Sequence, residues 1–204
     1  MSLIFCFDLE TTGLPLRGTP SDDPKQPHIV QFAGLLIDRD TQEEVEAVNV
    51  LVRPDGWQIT EETTAIHGIS HVKALARGIP EKEVVDHFCR MQNMAELTVA
   101  HNLDFDALIM RIAMLRYGST RSDADERAGR PSACTMKLSV NILSLPPTER
   151  MLAVGLRVPK TPKLSECVTH FFAEEHEGAH DALIDARACA RVFFKLQEIY
   201  KQSQ

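Results

Sequence analysis

The chain has 204 residues, 44% hydrophobic and 25% charged, with a formal net charge of −7. That length can bury a proper core and makes one domain over residues 1–204 the expectation, while the negative balance excludes a surface that grips nucleic acid everywhere. Five widely spaced cysteines without a Cys-x-x-Cys pair point to reduced thiols, and with no leader-like start and no bilayer-length apolar run the chain reads as soluble and cytoplasmic.

Leu3 to Phe7 is an apolar strand that runs into Asp8 and Glu10. Two residues apart in extended chain, both carboxylates lie on one face. Two adjacent acids repel unless a cation sits between them, and Mg²⁺ takes oxygen ligands from carboxylates and phosphates. Gly13-Leu-Pro-Leu is a turn, followed by a polar loop from Arg17 to Pro27. Ile29 to Ile37 and Val45 to Val52 form a β-hairpin across Asp38-Arg-Asp-Thr-Gln.

Thr60-Glu-Glu opens a short helix, with a threonine cap and acids in the first turn. Pro80 starts a longer one with Val84, Val85, Phe88 and Met91 on one side. Leu97 to Ala100 is a short buried strand. It leads through His101, Asn102, Asp104, Phe105 and Asp106 into a helix carrying Leu108, Ile109, Ile112 and Leu115. Residues 118–132 show no apolar periodicity and read as a flexible loop or an insertion. Cys134 to Leu145 reads as a helix stopped by Pro146-Pro147, and Arg157 to Lys163 as a basic, proline-bearing loop. Leu164 to Phe172 reads as a helix, as does the segment after His180. Strands in a meander followed by alternating helices and strands give a mixed α/β domain.

Asp104 and Asp106 both lie where a strand hands over to a helix, a frequent position for site residues; spacing does not choose between them. His180 and Asp185 face the same way only if His180 stands at or before the helix start. His176-Glu177-Gly178-Ala179-His180 matches the zinc-protease pattern His-Glu-x-x-His. Gly178 weakens the helix that motif needs, and Ala186 stands where the extended motif has histidine. A zinc metalloprotease is therefore the remote alternative. His67 and His71 flank Gly68, which argues for a turn rather than a zinc site.

Taken together, Phe7-Asp8-Leu-Glu10-Thr-Thr-Gly13, His101-Asn102-Leu-Asp104-Phe105-Asp106 and His180-Asp181-Ala182-Leu-Ile-Asp185 resemble the three motifs of the DnaQ-like, DEDDh class of 3′–5′ exonucleases. The resemblance covers nearly the whole chain. It implies a ribonuclease H-like fold, a mixed five-stranded sheet flanked by helices on both faces. It selects Asp106 over Asp104 as the metal acid and makes Asp8, Glu10, Asp106 and Asp185 the ligands of two Mg²⁺ ions, with Mn²⁺ as a substitute. His180 becomes the general base. Thr11, Thr12, Leu14, His67, Asn102 and Phe105 become candidate contacts for the terminal nucleotide, and Lys160 and Lys163 a patch for the strand backbone. The implied partner is the 3′ end of a nucleic acid, DNA before RNA, with an exoribonuclease of the same fold as the alternative. The resemblance also admits a DNA polymerase or repair protein as partner; no membrane is implied, and the oligomeric state stays open.

Overall fold

The computed structural model describes residues 2–202. In chain order these form β1 (Leu3–Thr11), β2 (Ile29–Asp38), β3 (Glu44–Leu51), α1 (Glu61–His67), α2 (His71–Arg77), α3 (Glu81–Met94), β4 (Leu97–Ala100), α4 (Leu103–Arg116), α5 (Arg121–Ala128), β5 (Ser132–Cys134), α6 (Thr135–Leu143), α7 (Glu149–Ala153), α8 (Leu164–Phe172) and α9 (Ala182–Gln202). The sheet order is β3-β2-β1-β4-β5. The first three strands are antiparallel, and β4 and β5 run parallel to β1. This is the expected mixed five-stranded sheet.

The alternation along β1 assigns its two faces. Phe5, Phe7 and Leu9 pack against α3 and α4, where Val84, Phe88, Met91, Ile109 and Met110 complete one core. Phe5 and Phe7 stack at 5.3 Å, and Phe88 meets both edge-on. Ile4 and Cys6 point the other way, onto Ala186, Cys189, Ala190 and Phe193 of α9. Helices therefore cover both faces. The close fit of α3 requires a glycine on β2: a Cβ at Gly34 would lie 2.8 Å from the Phe32 ring and 2.9 Å from Met91 Sδ.

Asp8 and Glu10 continue the Ile4–Cys6 side of the strand, so the period of two delivers them to the face held by α9. β4 pairs with β1 from Ile4↔Leu97 to Cys6↔Val99. The turn after β4, and with it the start of α4, consequently emerges beside Asp8.

Residues 118–132 are not the flexible loop that their polarity suggests. They contain α5 and lead into β5, which takes the sheet edge beside β4. The helix starts on a capping box, with Thr120 and Asp123 each accepting from the other's backbone N–H. Ala124 is its one buried residue, so there is no apolar stripe to read. Cys134 ends a strand rather than starting a helix, and α2 and α7 add two short helices to those expected. Among the described residues no helix is long and apolar enough to cross a membrane.

Candidate active site

Three elements bring four carboxylates to the C-terminal end of β1. Asp8 and Glu10 come from the strand itself, Asp106 from the first turn of α4 and Asp185 from the first turn of α9. Glu10 and Asp106 are 8% and 3% exposed; Asp8 and Asp185 are half-buried. Burial, then the charges of Asp106, Asp185 and Glu10, push the Asp8 carboxyl well above the usual range. Burial, followed by Asp185 and Asp181, pushes Glu10 up to about 8. Asp106 is raised mainly by burial, against hydrogen bonds from its own and the Leu9 backbone N–H. No Lys or Arg accounts for any of these shifts.

Asp104 is placed differently. It is exposed and pairs with Lys137 at 2.6 Å. Residues 104 and 106, two apart in a helical turn, point in different directions, and only Asp106 turns inward.

The loop before α9 is built around Asp185. Asp181 caps the helix, its Oδ1 accepting from the N–H groups of Leu183 and Ile184. Gln31 on β2 accepts from the Ala182 N–H; since Gln31 is the partner of Glu10 in the β1–β2 register, this ties the helix start to the acid pair. His180 has the left-handed φ of 68°, and Gly178 a φ of 72°, so the chain doubles back. The His180 N–H donates to Asp185 Oδ2 at 3.0 Å. Its exposed ring offers a ligand atom within 4.8 Å of atoms of Glu10 and Asp185.

His176 takes the remaining Asp185 oxygen, with Nε2 to Oδ1 at 2.5 Å. Its side chain is almost wholly buried. The zinc-protease reading fails here, because residues 173–181 are not helical and His176 is committed to a carboxylate. Sequence reasoning treated His176 only as half of a chance pattern; the available signal was its place nine residues before Asp185, in the stretch that must fold back over that acid.

The other expected contacts lie around this cluster. Thr11 Oγ1 donates to the Gly13 carbonyl at 2.9 Å. The Thr12 backbone N–H donates to the His28 carbonyl, and its hydroxyl accepts from the His28 N–H. Leu14 is 78% exposed. His67 is buried; its Nδ1 accepts from the Ile69 N–H while Nε2 has no partner. Burial, then the nearness of His180 and Lys73, holds the His67 imidazole below its ordinary value. Asn102 is exposed, at φ 62°, and its side chain makes no capping bond. Phe105 packs half-buried against the α3–α4 core. Lys160 pairs with Glu166, and Lys163 is exposed.

His101 opens the second motif and serves the frame. Burial holds it below its ordinary value, and the neutral ring bridges Thr135 Oγ1 at 2.9 Å and the Pro162 carbonyl at 3.1 Å. That joins the end of β4 to α6 and to the loop before α8.

Buried oxygen ligands that repel one another, with no Lys or Arg among the causes that shift Asp8, Glu10 and Asp106, fit a hard divalent cation. The unpartnered His67 Nε2 fits a hydrogen-bonding ligand beside it.

The model of the exonuclease family RNase T matches residues 5–193. No curated protein matches the sequence. Among solved structures, the chain is similar to E. coli exonuclease I in a zinc-bound complex with single-stranded DNA, with a TM-score of 0.71 and 20% identity over 98% of this chain and 41% of that one. It is similar to the same enzyme with a dA16 oligonucleotide at a TM-score of 0.71 and 18% identity, covering 98% and 41%. A moderately thermophilic exonuclease I from Methylocaldum szegediense matches at 0.69 and 22%, covering 97% and 41%. The chain spans about two fifths of the length of these structures.

Proposed function

The chain belongs to the exonuclease family, and from that premise we propose that it hydrolyses phosphodiester bonds one nucleotide at a time from the 3′ end of single-stranded DNA, releasing nucleoside 5′-monophosphates. One observation carries the reading: four carboxylates from three elements converge at the end of β1, and no Lys or Arg is among the causes that shift Asp8, Glu10 and Asp106. Such a cluster is unfavourable on its own and becomes favourable around bound cations.

Asp8, Glu10 and Asp185 would hold one Mg²⁺, and Asp8 with Asp106 a second. When bound, the pair supplies an activated water and neutralises charge growing on the leaving oxygen. The protein groups do the rest. His180 stands near the acids on a reversed backbone with its residue exposed, and would take the proton of the attacking water at a ring nitrogen. His176 and the His180 N–H hold both Asp185 oxygens, which fixes the carboxylate before any cation arrives. Thr11, Thr12 and the exposed Leu14 would wall the terminal sugar and base. His67 Nε2 would donate to the substrate, and Phe105 would close the pocket from the α4 side.

The test uses matched 5′-labelled DNA and RNA oligonucleotides. With Mg²⁺ the DNA shortens progressively from its 3′ end, and EDTA stops it. Asp8→Ala lowers the rate by about 10³-fold or more, roughly 4 kcal/mol of barrier. Full activity in Asp8→Ala would refute the site, and faster shortening of the RNA would reassign the substrate.

A further inference from the structure

The α3–α4 side of the sheet, away from the face that carries the acids, holds a cavity of about 180 Å³. Its origin lies in α5. That helix has only two apolar side chains, Ala124 and Ala128. Both line the cavity, over a floor of Phe7, Phe88, Leu103, Met110 and Met114. Methyl groups set against such large side chains leave space that a well-packed core would fill. An apolar cavity of about 150 Å³ is large enough to take a benzene ring, so this one has room for a single ring of that size.

The same cavity is lined by three arginines, Arg111, Arg127 and Arg130, all half-buried. In a chain of net charge −7 that is a local surplus. Arg111 is paired with Asp125. The other two bond to neutral groups. Arg127 Nη1 donates to the Cys89 carbonyl at 3.5 Å, Gln92 Oε1 at 3.3 Å and Asn93 Oδ1 at 3.2 Å, and Arg130 Nη1 donates to the Gln92 carbonyl at 3.2 Å. Asp123, one turn before Arg127, turns its Oδ2 to the Thr120 cap. Each guanidinium has further N–H donors in its planar fork, and that fork matches a carboxylate.

We infer that this cavity is a binding site for a small aromatic carboxylate, its ring against Phe7, Phe88 and Met110 and its charge against Arg127 and Arg130. A carboxylate adds little bulk to a ring that already fills the volume. The occupant would supply the apolar contact that α5 lacks, since Ala124 is the helix's one buried residue. The inference stands apart from the exonuclease reading, because none of the four clustered acids lines the cavity.

The test is calorimetric titration of the full chain with phenylacetate in EDTA. Without cations the clustered acids repel an anion, so binding there does not compete. One site is expected, with a Kd of about 0.5 mM, an ordinary efficiency for about ten non-hydrogen atoms. Benzyl alcohol, which offers the ring without the charge, should bind about tenfold more weakly. Arg130→Gln should weaken phenylacetate about tenfold and leave benzyl alcohol within about twofold. Ala124→Leu places a side chain in the cavity and should abolish binding of both. Ala128→Leu, at the exposed end of α5, gives the same reading should Ala124→Leu fail to fold. Absence of phenylacetate binding at about 10 mM, far above the expected constant, overturns the inference. So does binding that survives the leucine variants unchanged, which would put the ligand elsewhere. An equal loss of acid and alcohol in Arg130→Gln would also overturn it, since the charge would then not be what is recognised.

Discussion

Glu81 and Glu10 are both buried glutamates, 3% and 8% exposed, yet the protein treats them in opposite ways. The Glu81 carboxylate accepts from the Ile29 N–H and His28 Nδ1 at 2.8 Å, Tyr117 Oη at 3.0 Å and Arg116 Nη1 at 3.2 Å. Burial would push it up, but the hydrogen bonds of His28 and Ile29 and the charges of His28 and Arg116 outweigh that and hold it below the usual range. Glu10 has acids for neighbours instead and is pushed up to about 8. A buried acid surrounded by donors holds the fold together; one surrounded by acids leaves room for a cation. The two regions are also joined. Glu81 fixes His28 and Ile29, the His28 backbone bonds Thr12 twice, and Arg116 Nη2 donates to the Gln26 and Pro27 carbonyls. The compensated acid thereby steadies the chain that leads away from the uncompensated pair.

The sharpest break between them is a pair of stability measurements. Glu81→Ala removes the buried acid that four donors share and leaves the half-buried Arg116 without its carboxylate, and should cost about 3–5 kcal/mol in urea denaturation. Asp8→Asn, measured at pH 8 with EDTA, removes repulsion and should be neutral or stabilising. Equal losses in both would erase the distinction.

A smaller effect appears on titration without metal. Folded Glu10 keeps its proton up to about pH 8, against an ordinary value of 4.5, so the folded chain binds more protons between those values and stability falls as pH rises across that window. Asp8 and Asp106 act in the same direction. Glu81 is lowered, so its contribution is present above the ordinary value and is lost only as pH falls below it. In EDTA the melting temperature should therefore peak near pH 5, with a loss of about 2 kcal/mol by pH 8 after discounting for solvent and denatured-state structure. Mg²⁺ should raise the melting temperature more at pH 8 than at pH 6. A melting temperature in EDTA that climbs from pH 5 to pH 8 would show that the acids are compensated after all.

How far the sequence showed this contrast differs from element to element. Strand β1 was legible because its period of two is regular, and that period carries Asp8 and Glu10 to the face of α9. Helix α5 was not, because its start depends on a side-chain capping box and its burial on Ala124 alone. Nor was Glu81: in sequence it is a first-turn acid like Glu61, and its donors lie 35 to 53 residues away. His176 was hidden for a different reason. Its partner Asp185 is near in sequence, but the pairing depends on the backbone reversal at Gly178 and His180, which no spacing rule supplies.

Asp104 and Asp106 give the finest version of the comparison, two acids of one helical turn. Asp104 has 71% of its side chain exposed and pairs with Lys137 in solvent; such pairs contribute about 0–1 kcal/mol. Asp106 is enclosed with the other acids and has no basic partner among the causes of its shift. Asp104→Asn should change the single-turnover rate on a labelled oligonucleotide by no more than about twofold, since it loses only that screened pair. Asp106→Asn should slow it about a hundredfold or more, since it removes negative charge where cations would be held. The outcome that reverses the assignment is specific: comparable losses in the two variants would mean that the outward acid rotates into the site when cations bind, and that burial in the cation-free chain is not what selects the ligand.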